Sequence, residues 1–286
     1  MKNGVVTKKL ADKFWVKTDS ETECCVARGN LKIGNIYVGD KVDIDNSVIE
    51  KVHERKNKLI RPPVANLDQL IIVISPIPKP DFMLVDKLLI FCKVNDITPI
   101  ICINKTDLEC DELIEYTYKA YGKFIKIVKT NHSADNKELL KVLNGKVNAF
   151  AGQSAVGKSA LINNIVPNAN VISGELSEKI GRGKQTTRHC ELFEINNSSF
   201  IVDTAGFTSL DEKLLPISYF ELGYYYDDFI KYLPECKYKS CLHHSESEKE
   251  CGIKQAVKNN LIDKARYERY LVILKILKEQ WVRTHG

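Results

Sequence analysis

Val147-Asn148-Ala149-Phe150-Ala151-Gly152-Gln153-Ser154-Ala155-Val156-Gly157-Lys158-Ser159 is the stretch that decides the fold. An apolar run of strand character stops at Ala151. Two glycines follow with four residues between them, then Lys158 and Ser159, and a helix is expected over residues 159–165. Strand, Gly-rich loop and helix in that order make a phosphate-binding loop. Glycines let backbone N–H groups wrap the phosphates, and the helix N-terminus adds partial positive charge. Nucleotide contacts are expected from Gly152, Gln153, Ser154, Ala155, Val156, Gly157, Lys158, Ser159 and Ala160. Lys158 is expected to reach the β- and γ-phosphates, and Ser159 to ligate Mg²⁺.

Upstream, the buried strand 98–103 (TPIICI) runs directly into Asn104-Lys105-Thr106-Asp107. A carboxylate here accepts hydrogen bonds from N1–H and the 2-amino group of guanine. Adenine offers neither donor, so the wrong base leaves polar groups unpaired. Asn104 is expected to fix the loop, and Lys105 to cover the base plane. Downstream, a strand over 199–202 ends at Asp203-Thr204-Ala205-Gly206. There Asp203 is expected to hold Mg²⁺ through water and the Gly206 N–H to meet the γ-phosphate. Between these lies Gly181-Arg182-Gly183-Lys184-Gln185-Thr186-Thr187, placed where a γ-phosphate-sensing switch belongs. Either Thr186 or Thr187 would complete the Mg²⁺ shell, and the sequence leaves open which. Most GTPases run phosphate loop, switch threonine, aspartate motif, guanine motif. Here the guanine motif comes first, so the chain is circularly permuted.

Working outward, 70–75 (LIIVIS) reads as a parallel strand buried on both faces. Residues 81–94 carry a helical apolar face, 124–128 read as a strand and 136–143 as a helix. This alternation predicts an α/β domain over residues 63–214. Residues 1–62 read as all-β, with short strands at 5–9, 14–18, 23–27, 41–44 and 48–52. They predict a small OB-like barrel, although an SH3-like barrel would read much the same. Residues 55–66 read as a linker. Residues 215–286 predict a mainly helical domain with a helix near 261–280. The barrel holds thirteen Lys or Arg against nine Asp or Glu, an excess that suits nucleic acid as well as a plain solvated surface. No run of apolar residues is long enough to span a membrane, and the N-terminus has no signal-like region. A cytoplasmic protein without membrane contact is expected.

Nine cysteines, an odd number, argue against a disulfide framework. Six are scattered (Cys24, Cys25, Cys92, Cys102, Cys110, Cys190), most of them in apolar stretches where they serve as small core residues. The other three form, with one histidine, the series Cys236-x4-Cys241-x-His243-x7-Cys251. Three thiolates and an imidazole make a closed tetrahedral set suited to structural Zn²⁺. By spacing alone, metal and unlinked thiols both remain open. His244 is a rival ligand, and the final spacing carries Glu246, Glu248 and Glu250.

With these motifs in view, the chain resembles the circularly permuted, small-ribosomal-subunit-dependent GTPases known as RsgA. The resemblance covers nearly the whole length. It includes the passage Arg61-Pro62-Pro63-Val64-Ala65-Asn66-Leu67-Asp68-Gln69, the four nucleotide motifs and the C-terminal Cys/His cluster. It implies an OB-fold RNA-binding domain (1–62), a permuted P-loop GTPase domain (63–214) and a zinc-binding helical domain (215–286). It also implies GTP hydrolysis to GDP stimulated by the small ribosomal subunit, and a role in late subunit maturation through ribosomal RNA contacts. One structural Zn²⁺ per chain, Mg²⁺ with the nucleotide and a monomeric state go with that reading. Four positions depart from the pattern. Gln185 stands where the family has a His considered for positioning the attacking water. Ala205 stands where Pro is common. Phe207 follows Gly206 where many GTPases carry a catalytic Gln. The base-backing Ser-Ala pair before the helix at Asn136 reads as replaced by Lys129-Thr130.

Two rival readings stay in view. In one, the protein is a GTP-gated RNA-binding checkpoint in which hydrolysis only resets the bound state. In the other it is an ATP-using kinase, which the guanine motif disfavours.

Overall fold

The computed structural model describes residues 1–29, 31, 33–60, 62–131, 136–166, 190–196, 198–202 and 215–285. Five strands close the N-terminal barrel: β1 (Lys2–Leu10), β2 (Lys13–Lys17), β3 (Thr22–Ala27), β4 (Lys41–Asp45) and β5 (Val48–Val52). Alternation along each strand sends Val6, Phe14, Val16, Cys25, Val42, Ile44 and Ile49 into one core. The strand order is β1-β2-β3-β5-β4, closed by β1 against β4, with β3 and β5 parallel. That order is an OB-fold and decides against the SH3-like alternative.

The segment expected as a linker contains a short hairpin, β6 (Lys58–Leu59) with β7 (Val64–Ala65). It is fastened by side-chain amides. Asn66 Nδ2 donates to the Gly39 carbonyl and its Oδ1 accepts from the Lys56 N–H, each at 2.9 Å. Asn57 makes the matching pair with Leu67 at 2.8 and 2.9 Å. These bonds satisfy backbone groups that a free linker would leave to water.

Next come β8 (Gln69–Ile74), α1 (Phe82–Val94), β9 (Thr98–Ile103), α2 (Asp111–Tyr121), β10 (Lys126–Lys129), α3 (Lys137–Leu143), β11 (Val147–Ala151) and α4 (Lys158–Ile165). The edge hairpin β12 (Leu192–Asn196) and β13 (Ser199–Val202) completes a six-stranded sheet ordered β10-β9-β8-β11-β13-β12. Strands β9, β8, β11 and β13 run parallel, and β12 is antiparallel to β13. Every residue of β8 is buried, as two covered faces demand. Helix α2 and strand β12 were not anticipated. The apolar spacing of α2 is carried by Thr117, Ala120 and Tyr121, which an aliphatic count passes over.

The C-terminal segment holds α5 (Asp227–Ile230), α6 (Gly252–Lys258) and α7 (Lys264–His285), with short 3₁₀ turns between them. Helix α7 starts later than the expected 261 because Asp263 caps it, its Oδ1 accepting from the Arg266 N–H at 2.9 Å.

By packing, the chain forms two compact units. One comprises Met1–Pro80, Asn95–Glu109 and Val128–Ser209, and the other Asp81–Val94, Cys110–Ile127 and Leu210–Gly286. The first holds the barrel, both nucleotide loops and most of the sheet. The second joins α1 and α2 to the C-terminal helices. Its centre is the carboxylate of Asp86, fully buried on α1. Asp86 accepts from Arg266 Nη1 at 3.0 Å, from the Tyr121 hydroxyl at 3.0 Å and from Arg269 Nε. Arg266 also pairs with Asp228 at 3.1 Å, and its guanidinium lies over the rings of Tyr121, Phe124 and Tyr226. Burial alone would lower the pKa of Arg266, but Asp86 and Asp228 outweigh it and hold the group charged. Among the described residues no helix is long and apolar enough to cross a membrane.

Candidate functional site

The phosphate loop leaves β11 at a point where Gly152 has φ +132° and a Cβ would stand 2.2 Å from the Val73 carbonyl oxygen. It re-enters α4 at Gly157, with φ +97°, where a Cβ would stand 2.4 Å from Asn104 Nδ2. Both positions combine left-handed backbone with close approach, so only glycine fits. Between them, Ser154 and Ala155 are exposed and Val156 is buried in the sheet core. Gln153 Nε2 donates to the Lys79 carbonyl at 3.0 Å. Ser159 and the exposed Ala160 lie in the first turn of α4.

The sheet order sets β9 beside β8 and β8 beside β11, so the guanine loop and the phosphate loop leave the same end of the sheet. Ligands of parallel α/β sheets bind at such strand ends. The two loops are stitched together. The buried Asn104 donates from Nδ2 to the Val156 carbonyl at 2.9 Å, and Lys105 Nζ reaches the Ala155 and Ile77 carbonyls at 2.7 Å each. Lys105 thus spans the space between the loops. Thr106 bonds the Thr130 carbonyl through both its N–H (3.2 Å) and its hydroxyl (3.1 Å). Asp107 stands exposed at the end of the loop.

Lys158 curls back over its own loop. Its Nζ donates to the Gly152 and Gln153 carbonyls at 2.7 Å each, and burial pulls its pKa down to about 8. A cation held by two carbonyls in a partly desolvated loop is poised for an anion that would relieve both conditions.

Thr130 has a role that the sequence reading missed. The reading took Lys129-Thr130 as a stand-in for a base-backing Ser-Ala pair, but Ser133-Ala134 follows three residues on, outside the described residues. Thr130 instead donates from Oγ1 to Asn104 Oδ1 at 3.0 Å, and so fixes which end of that amide faces the phosphate loop. The switch residues Gln185, Thr186 and Thr187 lie outside the described residues, as do Asp203, Ala205, Gly206 and Phe207.

In the C-terminal unit, Cys236, Cys241, His243 and Cys251 converge, with all four donor atoms within 4.8 Å of one another. His243 Nδ1 lies 3.5, 3.3 and 3.4 Å from the three Sγ atoms in turn. Donors of a tetrahedral N/S site with bonds of about 2.0 and 2.3 Å stand roughly 3.5 Å apart, so the cluster has the dimensions to hold a metal ion. Burial pushes His243 down to about 4 and keeps its imidazole neutral, as a ligand must be. His244 is exposed and bonds through its backbone, which leaves His243 as the converging histidine.

The acidic residues of the long final spacing fasten the ligand loop. Glu246 accepts from the Leu242 and His244 N–H groups at 3.1 and 3.0 Å. Glu250 takes Lys237 at 2.7 Å and the Tyr238 hydroxyl at 3.0 Å. From α7, Tyr267 and Tyr270 donate to the His243 and Leu242 carbonyls at 2.6 and 3.0 Å. These two tyrosines fix the peptide that carries the ligand imidazole, which sits at φ +56°.

A family model described as RsgA GTPase matches residues 52–213. A Clostridium acetobutylicum protein named small ribosomal subunit biogenesis GTPase RsgA is 40% identical, over 96% of this chain and 97% of that protein. A Caldanaerobacter subterraneus protein of the same name is 38% identical over 99% and 98%. The crystal structure of YjeQ from Thermotoga maritima superposes with a TM-score of 0.81 at 32% identity, covering 96% of this chain and 98% of that one. YloQ, described as a circularly permuted GTPase, does so with a TM-score of 0.79 at 32% identity, covering 98% and 96%.

Proposed function

The chain belongs to the RsgA GTPase family, and from that premise we propose that it hydrolyses GTP to GDP and phosphate as a factor in small ribosomal subunit biogenesis. The observation that carries the proposal is the stitching of the guanine loop to the phosphate loop by Asn104 and Lys105. One nucleotide can then meet both motifs, although they lie far apart in sequence and in permuted order.

In this reading Asp107 receives the guanine N1–H and 2-amino group, and Lys105 lies along the base. The phosphate-loop amides wrap the phosphates. Lys158 leaves the Gly152 and Gln153 carbonyls for the β- and γ-oxygens, where its charge stabilises the transferring phosphoryl group. Mg²⁺, with Ser159, one of Thr186 and Thr187, and Asp203 as its expected holders, would neutralise charge between the β- and γ-phosphates. Gln185 can orient the attacking water but cannot act as its base. Phe207 offers no hydrogen bond to water, so turnover by the protein alone is expected to be slow.

The same reading assigns residues 1–62 to ribosomal RNA binding, residues 63–214 to the GTPase and residues 215–286 to a structural zinc domain. Soft donors favour zinc at the cluster, and four protein ligands leave no open position for water. The cytoplasm and a monomeric state belong to this reading as well.

The test is GTP turnover with and without purified small subunits, run beside the Gln185→Ala variant and an equal concentration of ATP. Stimulation by the subunit, indifference to ATP and a reduced stimulated rate for Gln185→Ala are expected. Equal turnover with and without subunits would overturn the role assigned to them.

A further inference from the structure

The β12–β13 hairpin has an unusual position in the chain. Its first strand begins just after residues 186–187, and its second ends at Val202, directly before Asp203. Whatever holds this hairpin therefore holds the described end of each segment assigned to γ-phosphate sensing. On one side β13 is held in the sheet by β11, and on the other side the hairpin meets the barrel. Strand β1 pairs with β4 only over Lys2 to Val5, and a bulge falls between Val6 and Lys8. A bulge bends a strand and re-aims the residues beyond it. Past it, Lys8 forms an isolated antiparallel bridge with Glu191. The same two residues are ion-paired at 3.0 Å, and Lys17 of β2 pairs with Glu194 of β12 at 3.1 Å. Beside these contacts a cavity of about 420 Å³ opens between the barrel, at Lys17, Lys41 and His53, and the hairpin, at Ser198 and Phe200. The joint is thus two half-exposed ion pairs and one backbone bridge beside open space, a contact that can shift.

We infer that Lys8 and Lys17 are positioning residues for subunit-stimulated GTP hydrolysis, clamping the β12–β13 hairpin to the barrel so that engagement of the barrel is felt at the switch segments. This rests on the function proposed above. Among the described residues neither lysine is bonded to the guanine or phosphate loop; both act through Glu191 and Glu194. The coupling is also reciprocal: if engaging the barrel changes the affinity for nucleotide, nucleotide changes the affinity for whatever engages the barrel by the same factor.

The test compares a charge-reversed clamp, Lys8→Glu with Lys17→Glu, with the swapped clamp that adds Glu191→Lys and Glu194→Lys. Turnover is measured alone and across a range of small-subunit concentrations. The reversed clamp is expected to keep the unstimulated rate. Its maximal stimulated rate is expected to fall about two- to thirtyfold, the range by which such couplings shift an equilibrium. The swapped clamp should recover it, because the pairs are restored with opposite sign. An unchanged maximal rate overturns the inference. So does a loss confined to the half-saturating concentration that the swap fails to repair, since the lysines would then simply contact RNA.

A second measurement needs no ribosome. Hydrogen exchange of β1 amides in the free protein is expected to differ between GDP and a slowly hydrolysed GTP analogue, and to lose that difference in the reversed clamp. No difference in the native protein overturns the clamp. If subunits fail to stimulate the native protein, the proposed function fails, while exchange still decides the clamp on its own.

Discussion

At Lys158 phosphate recognition and proton uptake meet in one ammonium group. Burial lowers its pKa to about 8, and a bound polyphosphate, being anionic, must raise it. Binding is then linked to proton uptake. Below pH about 8 the free loop already carries the proton, and affinity should not depend on pH through this group. Above it the proton must be taken up on binding, so affinity should fall by up to about tenfold per pH unit. For the free protein the sign is opposite. A buried lysine with a lowered pKa opposes folding at neutral pH, and that opposition fades as pH rises above about 8. Titrating a fluorescent GTP analogue between pH 7 and 9.5 checks the first statement. The Lys158→Arg variant, which keeps its charge throughout, should lose the extra fall. Constant affinity in the native protein across that range would show either that the free loop does not depress Lys158 or that Lys158 does not meet the phosphates. Lys158 was legible from sequence because the phosphate loop is local: spacing, glycines and helix start lie within a dozen residues. Thr130 was misread because its role depends on a neighbour strand, and no local spacing reports that its hydroxyl meets Asn104.

Among elements, strands buried on both faces were the easiest to read. Residues 98–103 and 147–151 were placed to the residue, since a short aliphatic run bounded by turn residues has few other uses. Helix α2 was missed for the converse reason: its buried face is made of Thr117, Ala120 and Tyr121, and that face exists to meet partners distant in sequence. Tyr121 and Asp86 are chosen by α7, through Arg266 and Arg269. Asp86 is a lone carboxylate among the buried apolar residues of α1, and no local pattern reports its partners. Removing it leaves two arginines facing a space without their shared carboxylate, and breaking such a buried pair costs about 3–5 kcal/mol. Asp86→Ala is therefore expected to lower stability by that order in urea unfolding. Asp86→Asn should be milder, since the amide oxygen still accepts one of the three bonds. A loss under about 1 kcal/mol for Asp86→Ala would mean that water enters and replaces the carboxylate.

For the whole molecule, the notable feature is that packing does not follow chain order. The sequence divides at motif and composition boundaries, into barrel, sheet and helical tail. The compact units instead assign α1 and α2 to the unit that holds the Cys/His cluster. No reading of local pattern could foresee this, because it depends on a network that joins residue 86 to residues 266 and 269. It has a consequence for metal removal. Within this unit, Tyr267 and Tyr270 grip the His243 and Leu242 carbonyls, while Arg266 and Arg269, on the same helix α7, grip Asp86. If the cluster holds an ion as proposed, its loss would free the ligand loop, then the tyrosines, then the register of α7. A strong chelator, or Cys251→Ser, is therefore expected to speed hydrogen exchange in α1 and α2 as well as in α6 and α7. The strands β8, β9 and β11 should stay protected, because their core in the other unit, built on Ile71, Val73, Ile100 and Phe150, uses no residue of the metal cluster. Faster exchange confined to residues 236–258 would mean that the cluster is a local clip. Equal loss of protection in β8 and α1 would mean that the two units unfold as one.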